Sequence, residues 1–107
     1  MSRISAEEVR KLQVKLMPVI KKFQIRSLYL FGSRARGDYE DDSDYDFLVD
    51  SKALRRIKDF NDMGDAMVAI LGKMVDFVTP EMIEHNFFLK KGLREDGVKI
   101  YEKVGGK

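Results

Sequence analysis

Two aspartates, Asp44 and Asp46, stand two positions apart in a segment patterned as a β-strand. Strand side chains alternate between faces, so both carboxylates point the same way, with Cα atoms roughly 6.6 Å apart. Two ionised carboxylates that close repel, and each resists ionisation. Their pairing makes chemical sense if a divalent cation neutralises both. On the opposite face Tyr45, Phe47 and Val49 are apolar, as a core face requires. A solvated acidic edge is the plain alternative, because six acids fall between residues 38 and 46. A calcium loop fails: Asp42, Asp44 and Asp46 are spaced like its first ligands, but its sixth and twelfth positions need Gly and Glu and here hold Phe47 and Ala53.

The balance shifts upstream. Gly32 and Ser33 follow an apolar run, and ten residues separate Ser33 from Asp44. Glycine lets a ligand approach the backbone closely. Backbone N–H groups and the Ser33 hydroxyl at the start of a helical turn can hold phosphate oxygens. Arg34 and Arg36 could add charge-assisted bonds. A lone Gly-Ser means nothing and a lone Asp-x-Asp little. The combination of strand, Gly-Ser, ten residues, Asp-x-Asp and a further apolar run is specific.

These residues need a scaffold, and its elements are readable. Ser5 and Glu8 form a capping box. Behind it, Val9, Leu12, Leu16, Val19, Ile20 and Phe23 recur at helical spacing, which predicts a helix over 6–22. Pro18 removes a donor inside that helix and should kink or detach its last turn. Residues 25–31 read as a strand covered on both faces, 32–43 as a polar loop with one helical turn, and 44–49 as a second strand. Ile57, Phe60, Met63, Met67 and Leu71 give another helical stripe, closed by Gly72. Gly64 inside it suits close packing on a sheet. A third strand follows at 74–78. Thr79 and Pro80 then fit N-cap and N1 of a short helix. A helical piece spans 87–94, and 98–101 is a short edge strand. The Gly105-Gly106-Lys107 tail should fray. This order predicts an α/β (α+β) fold, a small mixed sheet with helices packed on it, in one domain over 1–107.

Composition bounds what the site can be. In 107 residues, 44% hydrophobic and 36% charged, there is room for one core and one site. The net charge of +2 is too balanced to argue for nucleic acid as a direct ligand. The chain has no cysteine and one histidine, His85. Thiolate chemistry and multi-histidine metal sites are excluded, so carboxylates must hold any metal, which favours Mg²⁺, Mn²⁺ or Ca²⁺. Without an apolar span or a secretory h-region, the expectation is a cytoplasmic protein that does not cross a membrane. His85 should lie at the surface, and Arg55-Arg56 and Lys90-Lys91 on solvated helix faces. The methionines should mostly fill the core, and Phe87 and Phe88 should lie in it.

The pattern Gly32-Ser33, ten residues, Asp44-x-Asp46 resembles the signature of the polymerase-β-type nucleotidyltransferase superfamily. With Phe31-Gly32-Ser33-Arg34-Ala35-Arg36-Gly37 and Ser43-Asp44-Tyr45-Asp46, it is similar to the minimal nucleotidyltransferase (MNT) branch, antitoxins of HEPN-domain ribonuclease toxins. The resemblance covers roughly 4–101, with its specificity in 31–49. It implies a polymerase-β-like palm and a third carboxylate on a later strand, a place that Asp76 fits. An aspartate within an otherwise apolar strand is costly filler if buried, although a strand-edge aspartate is the plain alternative. The resemblance further implies Asp44, Asp46 and Asp76 as catalytic metal ligands for two Mg²⁺ or Mn²⁺ ions, with Asp76 as general base. Gly32 and Ser33 would seat the phosphates of ATP. Larger members add a helical domain absent from this sequence, so a partner should supply the acceptor: a HEPN toxin whose tyrosine hydroxyl receives AMP. A non-catalytic contact antitoxin and the catalytic half of a split antibiotic nucleotidyltransferase stay open, as does a homo-oligomer.

Overall fold

The computed structural model describes residues 3–103; the tail expected to fray lies outside them. The first helix, α1 (Ala6–Lys22), begins as its sequence dictates. Ser5 Oγ accepts the Glu8 amide at 3.1 Å, and the Glu8 carboxylate accepts the Ser5 amide in return. Pro18 neither detaches nor ends it: α1 runs as one helix to Lys22. Gln24, at φ 51°, reverses the chain into β1 (Ile25–Phe31). Then come α2 (Ser33–Arg36), β2 (Tyr45–Ser51), α3 (Ile57–Leu71), β3 (Val75–Val78), α4 (Pro80–Glu84), α5 (Phe87–Asp96) and β4 (Val98–Glu102).

The four strands form one mixed sheet in the order β3-β2-β1-β4. β1 pairs antiparallel with β2 and β4, and β2 pairs parallel with β3. The expected edge strand β4 is an edge, and β3 is the other. One face carries Leu28, Leu30, Phe47 and Val49, each fully buried under α1 and α3. Leu16 and Ile20 of α1 and Met63 and Met67 of α3 complete that core. Phe60 of α3 stacks on Phe77 of β3 with ring centroids 5.9 Å apart. A Cβ on Gly64 would sit 3.4 Å from the Phe77 ring, so the glycine does bring helix and sheet close together.

Leu48, of opposite parity to Phe47 and Val49, points to the other face, where α4 meets β2 and α5 meets β1. That cover is thin. α5 buries none of its residues, and Phe87 and Phe88 are 70% and 83% exposed. The expectation that both lie in the core is therefore wrong, because α5 rests on the sheet only lightly. The methionines divide as well: Met63 and Met67 are buried, while Met74 and Met82 are exposed. His85 is at the surface as expected. Among the described residues no helix is long and apolar enough to cross a membrane.

Candidate active site

The carboxylates sit at one end of the sheet on its thinly covered face. The ladder between β2 and β3 starts where the Tyr45 amide donates to the Met74 carbonyl at 3.0 Å. The strand therefore begins one residue later than expected, and Asp44 stands just before it, exposed. Parallel register then sets Asp46 directly beside Asp76, and antiparallel register sets Phe31, the last residue of β1, on the other side of Asp46. Asp76 is exposed on its edge strand, so its carboxylate carries no burial cost. It reaches the site through register.

Gly32 closes the site from the β1 side. It takes φ +78°, and a Cβ there would lie 2.5 Å from Asp46 Oδ2. No other residue type leaves both the backbone and that carboxylate where they are. The chain turns directly into α2, whose first amides, on Ser33 and Arg34, have no carbonyl inside the helix to bond. Ser33 is half-buried at this turn.

Electrostatics single out Asp46. Partial burial pushes its pKa above the usual 3.8, and the negative charges of Asp76 and then Asp44 push it further, against the opposing charge of Arg36. Asp44 and Asp76 thus both lie within the field of Asp46. Among the described residues none of the three forms an ion pair, and no three acids or histidines are drawn together as a ready-made metal cluster. The donor set is all-oxygen and anionic, which suits Mg²⁺ or Mn²⁺. The missing Cβ of Gly32 lets Asp46 Oδ2 stand close against the turn, a cradle that any side chain would fill.

The two arginines part company. Arg36 lies within the field of Asp46 and is held by Asp38 at 3.2 Å and Asp96 at 3.0 Å. Asp96 is sixty positions away, and no local signal could have named it. Arg34, expected to touch phosphate, turns instead to the other side. Its guanidinium lies over the rings of Tyr39 and Tyr45, at 4.3 and 4.4 Å. It donates to the carbonyls of Ser43 and Asp41. Tyr45 projects away from the face that bears Asp46. A cleft of about 180 Å³, lined by Arg34, Tyr39, Tyr45, Ile4 and Glu8 among others, opens on that far side. Two tyrosines flanking an acidic loop that follows an arginine were the signal available for this stack. The other aspartates play lesser parts: Asp59 accepts the Arg55 and Arg56 amides that start α3, and Asp62 pairs with Lys58.

A mixed sheet with carboxylates from neighbouring strands beside a glycine-serine turn defines a nucleotide-transferring palm. The chain belongs to the nucleotidyltransferase domain family, whose model matches residues 8–100. The protein adenylyltransferase MntA of Thermococcus cleftensis is 30% identical over 96 residues, spanning 89% of this chain and 96% of that one. MJ1379 of Methanocaldococcus jannaschii, whose name gives an inferred protein adenylyltransferase activity, is 33% identical over 87% of this chain and 95% of its own. The same fold occurs in a toxin–antitoxin crystal structure with AMP-PNP (TM-score 0.69, 18% identity, 86% of this chain and 74% of that one). It also occurs in the complex of a tri-AMPylated Shewanella oneidensis HEPN toxin with its MNT antitoxin (TM-score 0.65, 16% identity, 89% and 73%). The enzyme class is therefore nucleotidyltransferase.

Proposed function

We propose that this chain transfers AMP from ATP to a hydroxyl of a partner protein, a tyrosine of a HEPN-domain ribonuclease toxin, and thereby acts as that toxin's antitoxin. The observation that carries this reading is the row of carboxylates at one sheet end, with Asp46 beside Asp76 and against Gly32. Relatives named as protein adenylyltransferases, matched over nearly their whole length, support a protein acceptor.

Asp44, Asp46 and Asp76 are the residues that would hold Mg²⁺ or Mn²⁺, two ions on this reading. When bound, such ions neutralise charge at the α-phosphate and acidify a nearby hydroxyl. The chain's own groups do the rest. The Ser33 hydroxyl and the amides at the start of α2 bind the β- and γ-phosphates, and Arg36 adds positive charge on that side. Asp76 takes the proton of the acceptor hydroxyl. The hydroxyl oxygen bonds to the α-phosphorus, the bond from that phosphorus to the bridging oxygen breaks, and pyrophosphate leaves.

The test is to incubate the chain with the neighbouring gene's product, ATP and Mg²⁺ and to measure intact masses. The partner should gain one or more AMP units. Asp44→Asn should block the gain while pull-down of the partner persists. Binding and neutralisation with no mass change would make the chain a contact antitoxin. Adenylylation of an aminoglycoside, with no protein partner bound, would make it half of a split small-molecule enzyme.

A further inference from the structure

We propose that the Arg34 side chain has a positioning role: it clamps residues 39–43 and so holds Asp44 at the mouth of β2, setting the site's affinity for a divalent cation without itself touching ATP. Only 8% of Arg34 is exposed, and its charge is spent inside the protein. Nε and Nη2 both donate to the Ser43 carbonyl, at 3.1 and 3.0 Å, and Nη2 also reaches the Asp41 carbonyl at 3.1 Å. Ser43 is the residue before Asp44, so the fork grips the peptide bond that leads into that carboxylate. The guanidinium carbon also lies over the rings of Tyr39 and Tyr45, at 4.3 and 4.4 Å, which holds the cation by its contact with both. Among the described residues the loop otherwise closes on itself, with the Ser43 amide on the Glu40 carbonyl at 3.0 Å and the Glu40 amide on Ser43 Oγ at 2.9 Å.

The clamp answers a physical problem. Asp38, Glu40, Asp41 and Asp42 crowd this segment, and among the described residues no strand pairs with it. Like charges push such a loop open, and an open loop lets Asp44 drift from Asp46. A buried cation bonded to the loop's carbonyls opposes that drift from behind, leaving the front free for a ligand. Lysine cannot substitute: one ammonium neither reaches two carbonyls as a planar fork nor offers a delocalised face to an aromatic ring.

Two variants test this. Arg34→Lys keeps the charge and removes the fork. Tyr39→Leu removes one ring at a half-exposed position and leaves the fork. Mn²⁺ affinity is measured without nucleotide, from the free-ion electron paramagnetic resonance signal. Loop opening is read as the initial rate of cleavage before Asp38, Asp41, Asp42 or Asp44 by an aspartate-directed protease. Arg34→Lys should weaken Mn²⁺ binding roughly tenfold, as loss of a ligand's supporting group does, and speed cleavage by a similar factor. Where AMP transfer is measured, kcat should fall while KM for ATP stays within about twofold. Tyr39→Leu should move the same readings less. Unchanged Mn²⁺ affinity and cleavage in Arg34→Lys overturn the clamp, and a raised KM for ATP on that background assigns Arg34 to phosphate. Should Arg34→Lys fail to fold, wild-type readings in Tyr39→Leu overturn it equally. The activity arm rests on the adenylyltransferase reading. The other two need no ATP, so a wild-type chain that transfers no AMP counts against that reading alone.

Discussion

Asp46 and Asp59 carry the same carboxylate into opposite surroundings. Asp59, at the start of α3, accepts the amides of Arg56 at 2.9 Å and Arg55 at 3.1 Å. Those two bonds, the Arg56 one first, hold its pKa below the usual 3.8. Asp62, one turn on, pairs with Lys58 at 2.9 Å. Asp46 meets partial burial and two further carboxylates, and its pKa rises. One acid is stabilised by groups already in the fold. The other carries its charge against its surroundings. Like charges held together at the sheet end, with no partner in the fold among the described residues, support the proposal that this site takes a cation from outside. Counting acids would rank α3 and the sheet end alike, and only their partners separate them.

The widest gap between the two regions should appear in catalysis. On the proposed function, Asp46→Asn removes a metal ligand whose share of charge stabilisation amounts to several kcal/mol. About 4 kcal/mol corresponds to roughly 10³-fold in kcat/KM. Asp59→Asn should leave kcat/KM for AMP transfer within about twofold, since it touches no substrate. Steady-state transfer assays on both variants check this, and a comparable loss in the two would erase the distinction. Gly32→Ala comes next. Its Cβ must displace Asp46 Oδ2, the oxygen the site depends on, so transfer should fall on the order of 10²-fold. The left-handed backbone adds roughly 1–3 kcal/mol of strain. Gly72→Ala is the control, because Gly72 also has positive φ but nothing lies within 4 Å of its Cβ position. Its melting temperature should fall while activity holds.

Legibility in the sequence followed the range of the interactions. The span of α1 was readable because a capping box and a helical stripe act over a few residues. β1 and the αL cap at Gly72 were local in the same way. Asp44 and Asp46 could be paired because strand periodicity fixes what two positions share. Asp76 is different. Its place beside Asp46 depends on parallel register between strands thirty residues apart, and only the family resemblance pointed to it. Arg34 was expected at phosphate because an arginine next to a Gly-Ser turn suggests it; in the fold its side chain lies over Tyr39 and Tyr45, a direction that depends on how the loop folds back. Phe87 and Phe88 were misplaced because aromatic residues on a helix suggest a core. How closely α5 approaches the sheet is set by tertiary packing, which no local pattern encodes.

The smallest expected effect is also the most diagnostic, because it has opposite signs in the two regions. Asp46 has a raised pKa in the fold, so its contribution to stability is fully present below 3.8 and is lost as pH rises through the folded value. At neutral pH in EDTA its ionised form weakens the fold, and Asp46→Asn should raise the melting temperature slightly. Asp59 has a lowered pKa, so its contribution is present above 3.8 and is lost as pH falls through the folded value. Asp59→Ala should lower the melting temperature at neutral pH. As pH falls, both variants should converge on wild type, one from above and one from below, in melting curves taken in EDTA from neutral pH down towards the usual carboxylate range. Adding Mg²⁺ with ATP at neutral pH should stabilise wild type and remove the advantage of Asp46→Asn, because the ions supply the charge that the bare site lacks. Asp59→Ala should keep its deficit under the same addition. An Asp46→Asn variant that melts below wild type in EDTA would mean that Asp46 is paired within the fold, and the contrast with Asp59 would collapse.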